Sequence, residues 1–480
     1  MPGHNRRNFL KRAAACSLAS TFVISGTKAS GRVLGANERV RVAVAGIAGR
    51  GQAHMRAYAE MDDAEVTWLV DPDSRLFASR SAIVQKLAGN TPRCVQDFRR
   101  VLDDKTLDAV SIVTPDHWHA LLAIWACQAG KDAHVEKPCS HNIAEGRKIV
   151  EAARKYDRIV QHGTQRRSDP GWIRLTSDVR NGRFGRLLHA CVYTYRPRES
   201  IGIRKPERPP AELDYNLWTG PAPSSHPYRT NLVHYKWHWI WDFGSGEIGN
   251  LGTHQMDLAR WAMPAGTAPR SVVSLGGRFG YEDQGQTPNT QLTAYDLGDI
   301  KLYCQQRGLV DRKSVKVTVD FHTDQGVVRE GKFFPKGEQE GEPIEGAPVG
   351  GFADPGQRHF RNFIDCVRSR KREEINGEIL EGHRSSLLAH LGNISYRLGE
   401  NVPFDKQTKA FGGDKVAHEA FEDMKQHLAD AAHLELTNST YRLGRGLRFD
   451  AEAERFIDDS DADKLLSRPY RAPFIVPEQI

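Results

Sequence analysis

The sequence predicts two joined architectures: a doubly wound parallel α/β domain, then an α+β domain whose sheet is open, largely antiparallel and flanked by helices. Two observations predict this. From Arg39 to about residue 160, short apolar strands alternate with helical stretches, the rhythm of a parallel sheet covered on both faces. Beyond His162, strands follow one another across short turns with few helices between them, as in antiparallel sheets. The 480 residues are enough for roughly two to three domains, each with a full core.

Residues 1–36 precede this rhythm. Arg6-Arg7 stand before Phe9-Leu10-Lys11 and a mild apolar run over residues 13–24, the pattern of a twin-arginine export signal. The run is too short and too rich in Ala and Ser to be a permanent anchor, so the mature chain is expected to be periplasmic or otherwise exported, without a membrane span. The net charge of +7 is mostly this segment. It holds six basic residues and no acidic one, so 67 basic residues less six leave 61 against 60 acidic. A near-neutral mature chain carries no electrostatic footprint for nucleic acid. The seven cysteines are scattered singly, with no C-x-x-C pair, and read as free buried thiols with no metal among them.

A strand at 40–46 runs into Gly46-Ile47-Ala48-Gly49-Arg50-Gly51 and a helix at 52–61. This nearly matches G-x-G-x-x-G, whose purpose is close backbone approach to a pyrophosphate at a helix N-terminus. Ala48 adds one methyl at the second position, and Gly49 is read as compensating by bending the turn. Asp71 ends the strand at 66–70, twenty residues after Gly51. A carboxylate there accepts hydrogen bonds from ribose hydroxyls and repels a 2′-phosphate, which favours NAD over NADP. Residues 37–160 are therefore read as a Rossmann NAD-binding domain. The strand at 107–113 leads to Thr114-Pro115-Asp116-His117-Trp118-His119, with Asp116 as N-cap of a helix at 117–129, and the strand at 133–135 leads to Glu136-Lys137-Pro138.

In this order, Gly-x-x-Gly-x-Gly, Thr-Pro-x-x-x-His and Glu-Lys-Pro resemble the Gfo/Idh/MocA family (glucose–fructose oxidoreductase, inositol dehydrogenase and relatives) over residues 39–399. The resemblance implies that Lys137 sits at an active site. With it, Gly46, Ala48, Gly49, Arg50, Gly51, Asp71, Thr114, Pro115, His119 and Glu136 are expected around the cofactor. An ammonium at a strand's carboxyl end beside a nicotinamide can hydrogen-bond a substrate hydroxyl and help it lose a proton. The family also places the histidine of an Asp-x-x-x-His helix beside the nicotinamide as acid/base, and His254 takes that position. Its partner here is Asn250. An amide can neither take a proton nor raise an imidazole's basicity, so His254 and Lys137 are left to carry the chemistry.

Asn250, His254 and Asp257 form one stripe of a helix expected at 247–261, with Asp257 assigned a structural part. Glycines 244, 246, 249 and 252 mark backbone that approaches something closely. The aromatic stretch from Tyr235 to Trp241 suits stacking on a sugar ring, or else a packed core. Trp237, Trp239, Asn250, His254 and Gln165 are the substrate candidates, with Arg166, Arg167 and Trp172 weaker ones. His234 and His238 have two-ligand spacing but no third ligand nearby. Residues 161–400 make the substrate domain, with a long loop over 197–230. Amphipathic helices within 359–398 are expected to pack on the first domain. The polar extension 401–480 and an arm at 31–39 are read as wrapping a neighbour in a homo-oligomer, a dimer or tetramer.

Together these readings describe an exported NAD-dependent oxidoreductase acting on a sugar, polyol or glycoside hydroxyl, with a tightly bound and recycled cofactor. Two alternatives stay open: an NAD-dependent glycosidase or lyase working through transient oxidation, and a non-catalytic dinucleotide-binding protein.

Overall fold

A computed structural model describes residues 38–223, 225–348, 356–404 and 408–480. The export signal, Cys16 and most of the arm at 31–39 lie outside the described residues.

The first domain contains β1 (Val40–Ala45), α1 (Gly51–Ala59), β2 (Ala64–Val70), α2 (Phe77–Ala88), β3 (Arg93–Val95) and α3 (Arg99–Leu102). It continues through β4 (Ala109–Ile112), α4 (Asp116–Gln128), β5 (Asp132–Val135), α5 (Ile143–Lys155) and β6 (Val160–His162). The strands pair in the order β3-β2-β1-β4-β5-β6, all parallel. Alternate residues of β1 feed two cores. Val40, Val42 and Val44 meet Met55 and Tyr58 of α1, while Ala43 and Ala45 join the core that holds α4. The edge strands β3 and β6, three residues each, are too short to show a period in the sequence. The strand order reverses between β1 and β4, and the crevice at the carboxyl ends of those strands is where open α/β sheets bind ligands.

The second domain begins with α6 (Pro170–Arg180), capped by Asp169 with Pro170 at the first helical position. It continues with β7 (Leu187–Tyr195), α7 (Tyr215–Thr219), α8 (Thr253–Trp261), β8 (Ser271–Gly277), β9 (Thr290–Asp296), β10 (Lys301–Arg307) and β11 (Lys316–Thr323). Then come β12 (Gly326–Arg329), β13 (Lys332–Pro335), β14 (Glu342–Pro343), α9 (Gly356–Ser369), α10 (Ile379–Arg397), β15 (Glu400–Pro403) and α11 (Lys415–Ala432). The chain closes with β16 (Thr440–Leu443), β17 (Leu447–Asp450), β18 (Arg455–Ile457) and α12 (Ser460–Asp463). The twelve-stranded sheet is antiparallel except between β7 and β10. One face packs on α8 and α10, the other on α11. Phe360, Phe363 and Val367 of α9 enter the core beside β1, which joins the two domains as the amphipathic pattern predicts.

Three expectations need correction. The helix at 247–261 is two pieces, a π-helical turn at Ile248–Gly252 and then α8. Asp116 does not cap α4: it lies inside the first turn, and its buried carboxylate accepts a hydrogen bond from Ser245 Oγ (2.6 Å). Residues 401–480 close on their own chain. The strand β16 pairs with β8 and β15, β17 pairs with β8, and Phe474 is buried against the ring of Trp118 in the first domain. The open edge of β8 explains the first part, because its unpaired N–H and C=O groups must find partners. Among the described residues no helix is long and apolar enough to cross a membrane.

Candidate active site

The turn after β1 owes its shape to two glycines. Gly46 has φ +86°, and a Cβ there would lie 2.5 Å from the Val113 carbonyl oxygen. A Cβ on Gly51 would lie 2.0 Å from the Gly46 carbonyl oxygen, so this glycine packs helix against strand. Gly49 differs: a Cβ would meet nothing within 4 Å, and the residue borders the cleft. It therefore opens the cradle; the expected bend is at Gly46. Arg80 donates to the Ile47 and Ala48 carbonyls (2.9 and 3.2 Å) and holds the turn from α2. Asp71 accepts one backbone N–H on each oxygen, from Ile47 and from Asp73, both at 3.0 Å. Burial pushes its carboxyl above the usual range against the pull of those two donors. Arg75, the basic residue nearest in sequence, is spent on Asp73 (2.6 Å).

Beneath the cleft, Glu136 Oε1 accepts from His54 Nε2 (3.0 Å) and Arg50 Nε (3.2 Å). Burial opposes its charge, but His54, Arg50 and Lys137 together hold the carboxyl well below its ordinary value. His119 bridges the Pro138 carbonyl (2.6 Å) and the Thr114 carbonyl (2.7 Å) through its two ring nitrogens, tying together the loops after β4 and β5.

Lys137 follows β5 across the cleft from the π-helical turn. Its Nζ donates to both the side-chain Oδ1 and the main-chain oxygen of Asn250, each at 2.9 Å. Such wide turns recur at functional sites, and here the turn presents a helical carbonyl to a lysine. The Gly249 backbone passes so close to Ser245 that a Cβ would sit 1.8 Å from its Oγ. Thus the glycines approach protein. The Asn250 amide is oriented from its other end. Nδ2 donates to Glu247 Oε2 (3.4 Å), and Glu247 is held by Arg198 through Nη2 and Nε (2.7 and 2.9 Å). Asn250 thus stands between the Lys137 ammonium on its oxygen and the Glu247 carboxylate on its nitrogen. Burial pushes the Lys137 ammonium below its ordinary value, against the attraction of Glu136, Asp116 and Glu247. The buried His254 is pushed well below its usual range, first by burial and then by Lys137.

The cleft has a volume of about 460 Å³, the size of an organic cofactor or substrate site. Gly46, Ala48, Gly49, Arg50, Asp71, Thr114, Pro115, His119, Glu136, Lys137, Gln165, Trp237, Asn250 and His254 all border it. Gly51 and Trp239 do not. Trp239 is 5% exposed in a core cluster with the Arg198 guanidinium over its ring, so it has no face to offer a sugar. Arg166 binds Gln255 (3.0 Å) and Arg167 binds Asp257 (2.8 Å), both away from the cleft wall. Tyr235, at the start of the aromatic stretch, also borders the cleft, and sequence reasoning missed Asp116, Trp118, His234 and His238, which border it too. Asp116 was legible as a polar residue after a strand, but capping claimed it. His234 is held by Asp73 (2.8 Å), a contact between residues 161 positions apart that no local pattern signals.

Residues 40–164 match a family model described as "Oxidoreductase family, NAD-binding Rossmann fold", and residues 200–278 and 328–430 match its companion, "Oxidoreductase family, C-terminal alpha/beta domain". The chain belongs to the Gfo/Idh/MocA oxidoreductase family. A glycosyl hydrolase family 109 protein of Shewanella pealeana is 29% identical over 206 residues, covering 38% of this chain and 44% of that protein. The chain thus spans less than half the length of that relative. The rhizopine catabolism protein MocA of Rhizobium meliloti is 26% identical over 54% of this chain and 68% of its own. Among solved structures, a levoglucosan dehydrogenase in complex with NADH and levoglucosan shares the fold (TM-score 0.57, 17% identity, 74% of this chain and 96% of that one). In this Gfo/Idh/MocA chain the glycine turn, Asp71 and the Glu136-Lys137 loop therefore lie in the family's NAD-binding domain.

Proposed function

We propose that this protein is an exported NAD-dependent oxidoreductase that acts on a hydroxyl of a sugar, polyol or glycoside and keeps its cofactor bound between turnovers. The observation that carries the reading is the pairing of Lys137 Nζ with Asn250 across a cleft that also contains the glycine turn, Asp71 and His254. The residues fit the cofactor. The side of Gly49 is open where a pyrophosphate would approach, and Asp71 retains lone pairs for a ribose beyond the two N–H groups it already accepts.

Bound NAD supplies a hydride acceptor; the chain manages the proton. Two of the three Lys137 donor positions are engaged by Asn250, which leaves the third for a substrate hydroxyl. Desolvation raises the fraction of neutral amine, and in that form Nζ takes the hydroxyl proton. His254, kept neutral by burial, accepts a hydrogen bond from the substrate and holds the reacting carbon in place. Trp237 and Gln165, whose Oε1 is buried without a hydrogen bond among the described residues, shape the substrate end.

The Arg6-Arg7 motif supports export of a folded protein, and free NAD is not maintained outside the cytoplasm. A redox-neutral cycle follows, either between two sugars or within one. The glycosyl hydrolase relative favours the second version, in which oxidation beside a glycosidic bond acidifies a C–H and lets the bond break. Denaturing the purified protein and measuring the spectrum and mass of what it releases tests the common premise: absence of a nicotinamide dinucleotide sinks both versions. A glycoside panel separates them. Free sugar without net NADH means hydrolase, and a reduced second sugar means oxidoreductase.

A further inference from the structure

On the face of the second sheet that carries α11, β7 and β11 pair so that His189 stands opposite His322 and Cys191 opposite Asp320. The pleat turns all four side chains to one side, because residues two apart on a strand share a face. The two imidazoles are stacked with centroids 4.3 Å apart and planes inclined by 14°. One donor atom from each of His189, Cys191 and His322 lies within 4.8 Å of the other two. Among the described residues neither imidazole makes a side-chain hydrogen bond. The neighbouring Asp320 accepts from Lys316 Nζ on Oδ2 (3.3 Å), while its Oδ1 is buried with no hydrogen-bond partner among the described residues. A buried carboxylate oxygen left this way calls for a cation or a donor.

We propose that His189, Cys191 and His322 bind a zinc-class divalent cation, with Asp320 beside the fourth position. Two imidazoles and a thiol are the borderline donors such a cation selects, at metal–nitrogen and metal–sulfur distances of about 2.0–2.1 and 2.3 Å. The donor atoms already lie within 4.8 Å of one another, and the two stacked rings must turn for them to close on a common centre. On binding, a sulfur–metal bond forms as the Cys191 thiol proton passes to solvent; no electron is transferred. None of the four residues borders the catalytic cleft, so the cation staples β7 to β11.

The test uses tag-free full-length protein stripped with a chelator, titrated with Co2+ as a spectroscopic probe and with Zn2+ alone. The expected result is one equivalent of Co2+ with a near-ultraviolet thiolate-to-cobalt band, and a melting temperature raised by Zn2+. Cys191→Ser removes the band. His322→Asn, at a half-buried position that tolerates change, weakens Co2+ binding at least about tenfold and abolishes the Zn2+ effect on melting. Far-UV circular dichroism and bound-cofactor content check that each variant is folded. Failure to bind Co2+ stoichiometrically, binding without the band, or a band that survives in Cys191→Ser overturns the proposal.

Discussion

Replacing Asp71 by Asn probes the cofactor site without needing a substrate. Each Asp71 oxygen already accepts a backbone N–H, Oδ2 from Ile47 and Oδ1 from Asp73. An amide keeps one acceptor and turns an NH2 toward the other donor, so one buried N–H loses its partner at a cost of about 1–3 kcal/mol. Unfolding of the cofactor-free protein should become easier by that amount. Binding changes separately. A hydrogen bond from a ribose hydroxyl to a charged acceptor is worth about 1.5–3 kcal/mol against roughly 0.5–1.5 for a neutral one, a loss near 1–1.5 kcal/mol per bond. One such bond weakened raises the NADH Kd about tenfold. The same change removes the charge that repels a 2′-phosphate, so the NADPH Kd should hold or improve. Titrations of stripped protein with both dinucleotides, followed by tryptophan fluorescence, give the ratio. Equal weakening of NADH and NADPH, or no change in either, refutes the assignment of Asp71 to the ribose.

Gly51→Ala places a methyl 2.0 Å from a backbone oxygen and should cost at least about 1–3 kcal/mol or prevent folding, whereas Gly49→Ala meets open space and should keep the melting temperature while weakening NADH; thermal melts with and without NADH separate the two. Lys137→Met should lower kcat by about 10²–10⁴ on whichever substrate the wild-type protein turns over, with the dinucleotide still bound. Because burial lowers the Lys137 value, the rising limb of the wild-type pH profile should lie below the ordinary lysine value of 10.5, and a limb at or above it would argue against this base. Glu454 is held down at about 2 against the cost of burial, by His383 and then Arg147. A depressed carboxylate stabilises the fold above its ordinary value of 4.5 and loses that contribution as pH falls toward 2. Glu454→Gln should therefore flatten the acid limb of stability between these values by on the order of 2 kcal/mol, read from denaturant midpoints at successive pH.

Local chemistry was enough to place much of this molecule. The Gly46–Gly51 turn, Asp71 at the end of a strand and Glu136-Lys137-Pro138 after another are each short-range arrangements, and Gly46, Gly49, Asp71, Glu136 and Lys137 from them border one cleft. The strand rhythm also separated a parallel from an antiparallel sheet, because period and spacing are written along the chain. Other parts depended on residues far apart. Asn250 looked like a lost carboxylate until the fold put Lys137, 113 residues away, on its oxygen and Glu247 on its nitrogen. Trp239 looked like a sugar platform, but packing buried it under Arg198. Isolated cysteines gave no metal spacing, yet the register of β7 with β11 sets His189 against His322 beside Cys191. The sequence determined which local shapes the backbone takes, since those depend on neighbours. Only the tertiary structure decided which charges meet and which rings stay exposed, since burial and long-range pairing belong to no single segment.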